Sequence, residues 1–331
     1  MGYILVETKD IKQLSQYKHN PIYQDFNILN IFEHEADMHL LVLKNDNPTA
    51  RASIWWENTP KIEDLNVGTI GHFSANDEES AKFLLDKACE ILRKHSVITI
   101  IAPMNGNTWR SYRFITNRGN EPDFFLEPDN PDIYPDYFLE AGFYPIEEYI
   151  SAINYDLSAR DPRTLDTEEK IKEQKITIRK IDIDRFEEEL NIIYEISLEG
   201  FKDNVLYTPM SREDFFKQYL PLKDLIIPEF VLIAQDKDKK PIGFVFALPN
   251  INQLKRGEKI DTVILKTLAI IPEKRSGGLG SLLINKVRET AYEMDYKKAV
   301  YALIHKANKS RNIAEHFGET IRTYTLYERK A

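Results

Sequence analysis

Cysteine is almost absent from this 331-residue chain, and Cys89 stands alone. It can form neither an internal disulfide nor a cysteine-based zinc site. In the periodic run Phe83-Leu84-Leu85-Asp86-Lys87-Ala88 it reads as a small core residue. Thirteen Gly and sixteen Pro are too few for a collagen-like or proline-rich chain. No apolar run approaches the ~18 residues that a membrane span needs. The start, Met1 to Glu7, lacks the basic and long apolar regions of a signal peptide, and Val6 stands where a myristoylation motif wants Ser or Thr. A cytoplasmic protein with no membrane partner is expected. An excess of basic residues is also missing. The 44 Lys and Arg face 53 Asp and Glu, a net charge of -9, which argues against a nucleic-acid partner.

What is present is apolar material for packed cores, 42% of the residues. A single core stops growing near ~250–300 residues, so two domains are expected. The stretch 160–175 is mostly charged, with only Leu165 and Ile171 large and apolar. It reads as a linker. The expected division is residues 1–157, a linker at 158–175, and residues 176–331.

The second half carries the cleaner pattern. Lys175 to Ile181 alternates as a strand, and Phe186, Leu190, Ile193 and Ser197 recur at helical spacing. Ser211 reads as an N-cap. Phe230–Ala234 and Pro241–Ala247 read as a hairpin, and Thr262–Ile271 as a buried strand. A helix follows from about Gly280 to Met294, then a strand over Ala299–Ile304, a short helix over Ser310–Phe317 and a last strand over Thr320–Tyr327. The first half repeats this order more faintly. It has a hairpin at Met38–Leu43 and Ala50–Trp56, a strand at Val67–Phe73, a helix at Glu78–Lys94 and strands at Val97–Ala102 and Tyr149–Tyr155. One element order used twice suggests an internal duplication. The expected fold class is α/β, two tandem domains, each a mixed, mostly antiparallel sheet flanked by helices.

The stretch Leu268 to Ser281 carries the chemistry. Three of the thirteen glycines, Gly277, Gly278 and Gly280, fall between a buried strand and an amphipathic helix. Backbone N–H groups can converge there, and the helix N-terminus adds partial positive charge, which makes a phosphate cradle. A bare turn would not need three glycines and Arg275. Gly280 is followed by Ser281-Leu282 with no lysine, so it is not a Walker loop, and Leu283 replaces the third glycine of a dinucleotide fingerprint.

The run Arg275-Ser276-Gly277-Gly278-Leu279-Gly280 resembles the acyl-CoA loop of the GCN5-related N-acetyltransferase (GNAT) superfamily. The resemblance covers residues 175–330 in element order. It implies that backbone groups of Leu268, Ala269 and Ile270 pair with the pantetheine arm. It implies that the amides from Ser276 to Ser281 hold the pyrophosphate and that Asn308 lies beside the cofactor. Acetyl-CoA is the co-substrate it implies, and a small-molecule or peptide amine the partner. The family's tyrosine seven residues after that asparagine is Glu315 here, a poor general acid near neutral pH. Tyr324 and Tyr327 are the substitutes, with Tyr324 nominated as the acid. His305, at the end of the strand before Asn308, is nominated as the base. The first half resembles the superfamily in element order and in Tyr137 to Phe143. It lacks the glycine motif and sets Asp77, Glu78 and Glu79 where a phosphate would sit, so it reads as a degenerate half.

Other signals are weaker. His34 and His39 are five apart, off one helical face, which excludes a zinc-protease site, and no metal is expected. The loop Pro103 to Arg113 gathers Asn105, Asn107, Trp109, Arg110 and Arg113 after a strand end, where α/β folds place ligands; a polar loop packed by Trp109 is the simpler reading. The expected function is acyl-CoA-dependent N-acyl transfer, most simply of acetyl to an amine. The alternative is a catalytically silent acyl-CoA-binding sensor.

Overall fold

A computed structural model describes residues 2–24, 26–62, 65–159, 163–274, 277–307 and 318–331. The first half runs β1 (Tyr3–Thr8), α1 (Ile11–Ser15), α2 (Asn30–Glu33), β2 (Met38–Lys44), β3 (Asn47–Trp55), β4 (Val67–Ala75), α3 (Glu78–Lys94), β5 (Thr99–Ala102), β6 (Phe114–Asn117), α4 (Tyr134–Glu140) and β7 (Tyr144–Asn154). The second half runs α5 (Arg163–Glu173), β8 (Thr177–Lys180), α6 (Phe186–Phe201), α7 (Arg212–Tyr219), β9 (Val231–Gln235), β10 (Pro241–Pro249), α8 (Asn252–Lys255), β11 (Thr262–Ile270), α9 (Leu279–Glu293), β12 (Lys298–His305) and β13 (Glu319–Lys330). The expected helix over Ser310–Phe317 lies outside the described residues.

The fold is mixed α/β, and local chemistry explains its best-formed parts. In α3, the Asp77 side chain accepts from the Ser80 N–H at the N-cap, acids occupy the first turn, and Arg93 and Lys94 the last. That distribution suits the helix dipole. Ala81, Leu84, Leu85, Ala88 and Leu92 bury one face against the sheet, with Cys89 among them. Burial pushes the Cys89 thiol up to about 11, so it stays an inert thiol.

All the described strands join one sheet, ordered β1-β2-β3-β4-β5-β13-β7-β12-β11-β10-β9-β8, with β6 on β13. The two halves mirror each other within it. Each has an antiparallel hairpin, β2–β3 or β9–β10, and a parallel pair, β4–β5 or β11–β12, joined through α3 or α9. The halves also exchange their last strands. β7 pairs with β12 of the second half, β13 pairs with β5 of the first, and β7 and β13 pair with each other. The expected boundaries at 157 and 176 therefore follow chain order, while the sheet crosses them. Periodicity reports which face of a strand is buried and not which neighbour it takes, so the exchange was not legible in the sequence.

The expected linker also differs from its reading. Within it α5 packs on α9, with Ile171 2% exposed and Glu168 3.0 Å from Lys286. One apolar residue per few turns sufficed because α9 offered a place to bury it. Among the described residues no helix is long and apolar enough to cross a membrane.

Candidate active site

The strands β11 and β12 pair only from Thr262 to Leu265, against Lys298 to Tyr301. On its other edge β12 pairs with β7 from Ala299 opposite Asn154 to His305 opposite Tyr149, and past Tyr301 that pairing alone continues. The strands part, and the edge of β11 beyond Leu265 faces a cavity of about 1000 Å³ lined by Lys266, Thr267, Leu268, Ile304, His305 and Ala307. The far walls come from the Pro103–Arg113 loop of the first half and from α6 and α7 of the second. In the first half the corresponding opening is filled. The Met104 N–H donates to the Ile70 carbonyl at 2.8 Å, and the Asn105 side chain accepts from the His72 N–H at 2.7 Å. A Cβ at Gly71 would fall 2.4 Å from the Asn105 side chain.

The glycine loop joins β11 to α9, and its glycines have different tasks. Gly278 is the N-cap at φ +96°, which L side chains rarely adopt. Gly280 brings α9 close to the strand, since a Cβ there would lie 3.2 Å from Leu268. Among the described residues nothing lies within 4 Å of the Cβ position of Gly277, so that side is open to them. Leu279 is buried in the core under α9, and Ser281 follows in its first turn. Ala269 and Ile270 pair with Phe244 and Gly243 on one edge, and on the other edge β12 pairs with β11 only as far as Leu265. Arg275, Ser276, Asn308 and Glu315 lie outside the described residues.

The two nominated catalytic residues fare differently. His305 lines the cavity, but both ring nitrogens are engaged: Nε2 with Glu147 at 2.6 Å, and Nδ1 accepting from the Ala307 N–H at 3.3 Å. Tyr324 is 0% exposed and is not among the cavity's lining residues. Its hydroxyl donates to Glu127 and meets Ser151 Oγ at 2.9 Å. Burial, then the Glu127 carboxylate, drive its pKa far above the ordinary phenol value. The nomination of Tyr324 is corrected by topology: β13 lies mid-sheet, beneath Glu127 rather than at the cavity. Tyr327 is likewise buried.

Lys266, which the sequence reading passed over, sits on β11 facing the cavity. Its Nζ donates to the Leu126 carbonyl at 3.2 Å. Burial, then repulsion from Arg113, push its pKa down to about 7, so a neutral amine is available near neutral pH. The signal was a lone lysine inside the buried run Thr262–Ile271. Glu127, also at the cavity, is tied to Arg322 at 2.6 Å, both nearly inaccessible to solvent.

The histidines excluded as a metal pair form something else. Tyr23 Oη contacts His39 Nε2 at 2.9 Å, His39 Nδ1 and His72 Nδ1 each contact Ser53 Oγ at 2.9 Å, and His72 Nε2 contacts His34 Nδ1 at 2.8 Å. The chain ends at His34 on the cavity wall. Burial, then Arg51, hold His39 down to about 3; burial, then Arg110, hold His34 down to about 4; and His72 lies well below its usual value by burial, then His34. Unfolded histidines titrate near ~6.5, so below that pH the unfolded chain takes up protons that the folded one refuses. Stability is therefore full above ~6.5 and falls as pH drops toward the folded values. Each group contributes about 1.4 kcal/mol per pH unit, roughly 3 kcal/mol for the buried pair His39 and His72. Urea midpoints should fall steeply from pH 6.5 to 5 and flatten in a His39→Gln/His72→Gln variant. A midpoint independent of pH there would show that the rings are not held neutral.

Comparison with known proteins agrees with this architecture. Residues 190–318 match the model of the acetyltransferase (GNAT) family. Protein YghO of Escherichia coli is 25% identical over 192 residues, 57% of this chain and 48% of that protein, so the match spans about half of the relative's length. A bacterial ceramide synthase from Caulobacter vibrioides is 22% identical over 329 residues, covering 90% of this chain and 85% of that one. Among solved structures, a tandem GNAT protein from the clavulanic acid biosynthesis pathway superposes with a TM-score of 0.52 at 10% identity, over 99% of this chain and 98% of that one. A GCN5-related N-acetyltransferase from Anabaena variabilis gives 0.56 at 8% identity, over 99% and 73%. Residues 190–318 thus carry the GNAT-family match, and the glycine loop, parted strands and doubled element order give the whole chain the fold of the tandem GNAT structures.

Proposed function

We propose that the protein is an acyl-CoA-dependent N-acyltransferase with one working site, between β11 and β12. The observation that carries this reading is the edge of β11 beyond Leu265, unpaired with β12 and opening at Lys266 to Leu268 onto the cavity, just ahead of the glycine loop in the chain. Unpaired strand groups there can take the amide-bearing arm of an acyl-CoA, and the open space at Gly277 suits a pyrophosphate against the α9 N-terminus. The acyl-CoA supplies an activated thioester carbonyl. Backbone N–H groups near Ala269 are placed to stabilise its oxygen as negative charge develops. Lys266, neutral above about 7, takes the proton from the attacking amine and returns it to the departing thiolate. The filled opening beside β4 supports a single CoA per chain.

The acyl chain need not be acetyl. The cavity far exceeds an acetyl group in volume, and one relative is named a bacterial ceramide synthase.

Gly277→Asp tests the loop. The new side chain meets open space, so folding should be unaffected, whereas the carboxylate would face phosphate. Calorimetric titration should show CoA affinity reduced about 10²-fold or more, with Gly277→Ala close to the parent. Equal affinity for the aspartate variant would place the pyrophosphate elsewhere. CoA binding without turnover of any amine would instead favour a silent sensor.

A further inference from the structure

The Arg113 guanidinium is in an unusual state for a buried charge. The residue is 9% exposed, lines the cavity, and has Nε and Nη1 without hydrogen-bond partners among the described residues. Its Cζ lies 4.0 Å from the ring centroids of both Tyr112 and Tyr149, in the corner made by those two nearly perpendicular rings. The cation–π contacts hold the group in that corner and leave Nε and Nη1 as its unpartnered donors. Its backbone is held at φ +78°, with its N–H donating to the Pro103 carbonyl at 3.0 Å. Strain of that kind is kept where the surroundings require one side-chain direction.

Lys266 is near enough to feel the repulsion of Arg113. The nearby carboxylate, Glu127, is already bonded by Arg322 and by the Tyr324 hydroxyl. An unpaired buried donor and an unneutralised cation both carry a free-energy penalty that a bound partner removes. A planar guanidinium with buried, unpartnered in-plane donors suits an anion with two acceptor oxygens.

Resting on the acyl-transfer reading above, we propose that Arg113, held against Tyr112 and Tyr149, is the acceptor-recognition site and binds a carboxylate or phosphate carried close to the reacting amine. The acceptor is then an amino acid or an amino-alcohol phosphate in its polar part, whatever its apolar remainder. The anion has a second effect: it offsets the repulsion between Arg113 and Lys266, so Lys266 holds the amine's proton more readily once the acceptor is seated.

The test uses the full chain and matched amines: ethanolamine, O-phosphoethanolamine and serine, then dodecylamine and 2-aminododecanoic acid. The parent should favour the anionic member of each series in kcat/KM by about 10²-fold, as expected when a buried polar group would otherwise be left unpaired. Serine against O-phosphoethanolamine tells carboxylate from phosphate. In Arg113→Met the anionic-to-neutral ratio should collapse toward one, and Arg113→Lys should restore part of it. A binding readout stands apart from turnover. Inorganic phosphate and acetate should raise the melting temperature of the CoA-loaded parent and not that of CoA-loaded Arg113→Met. Transfer to amines with no preference for the anionic members, or with the same preference in Arg113→Met, overturns the proposal while leaving acyl transfer intact. Arg113-dependent anion stabilisation without turnover of any amine overturns acyl transfer and keeps the anion site. Equal anion stabilisation in parent and variant overturns the site itself.

Discussion

Lys266→Met should lower kcat/KM for acyl transfer by about 10²–10⁴-fold, the range that a positioned general base supplies, with CoA affinity little changed. The residue lies two positions before Leu268, where the part of β11 that the cofactor arm would pair with begins, and its amine already faces the cavity. The pH profile provides the sharper check. In the parent, the rate corrected for free amine nucleophile should rise with pH and level off above about 7, as Lys266 loses its proton. The sign follows from the direction of the shift: burial and Arg113 favour the neutral amine, so the active form gains population on the alkaline side. Lys266→Arg keeps a positive charge but cannot shed it, so its rate should stay as low as that of the methionine variant. A Lys266→Met enzyme within a few-fold of the parent would return the base role to His305. That histidine would then have to release Glu147 or the Ala307 N–H.

The sequence showed the parts that depend on neighbours along the chain. The α3 boundaries follow from Asp77 as cap and from a helical apolar face, and the structure places the helix at Glu78–Lys94. Ser211 caps α7 by accepting from the Asp214 N–H, as read. The hairpins and the strand before the glycine loop appear within a few residues of their expected ends. What stayed hidden depends on distant parts of the chain. β6 is four residues long and pairs with β13 about two hundred residues away, so it carries too few positions for a period. The loop Pro103 to Arg113 was visible as a cluster, but its division of labour was not. Trp109 donates to the Thr208 carbonyl at 2.7 Å and packs on Phe201 and Phe215, joining the halves, while Asn105 closes the first-half opening and Arg113 faces the second-half cavity. Nothing in local spacing tells these tasks apart. The same holds for Tyr324, whose alternating strand pattern gave its face and not its depth in a sheet built from both halves.

The exchanged strands predict that neither half is stable by itself. Without β13, β5 loses its neighbour at the centre of the sheet; without β7, so does β12. A fragment of residues 1–157 therefore exposes the edge of β5 as well as the apolar face under Tyr327, and a fragment of residues 176–331 exposes the edge of β12. Tyr324, Leu326 and Tyr327 on β13 are all buried in contacts with the first half or with β7. Removing large buried side chains costs about 2–5 kcal/mol each, and three of them approach the ~5–15 kcal/mol that holds a typical domain folded. A chain ending before Glu319 should therefore be insoluble or molten, with loss of near-ultraviolet dichroism from both halves and not from the second alone. Bare β edges also favour pairing with another chain. The two fragments expressed together should recover a soluble one-to-one complex, each supplying the strand that the other lacks. In the intact chain, both halves should melt in one transition. A monomeric, cooperatively folded 176–331 fragment would show that β7 contributes little to the second half, and two separated transitions in the intact chain would show that the shared strands do not couple the halves.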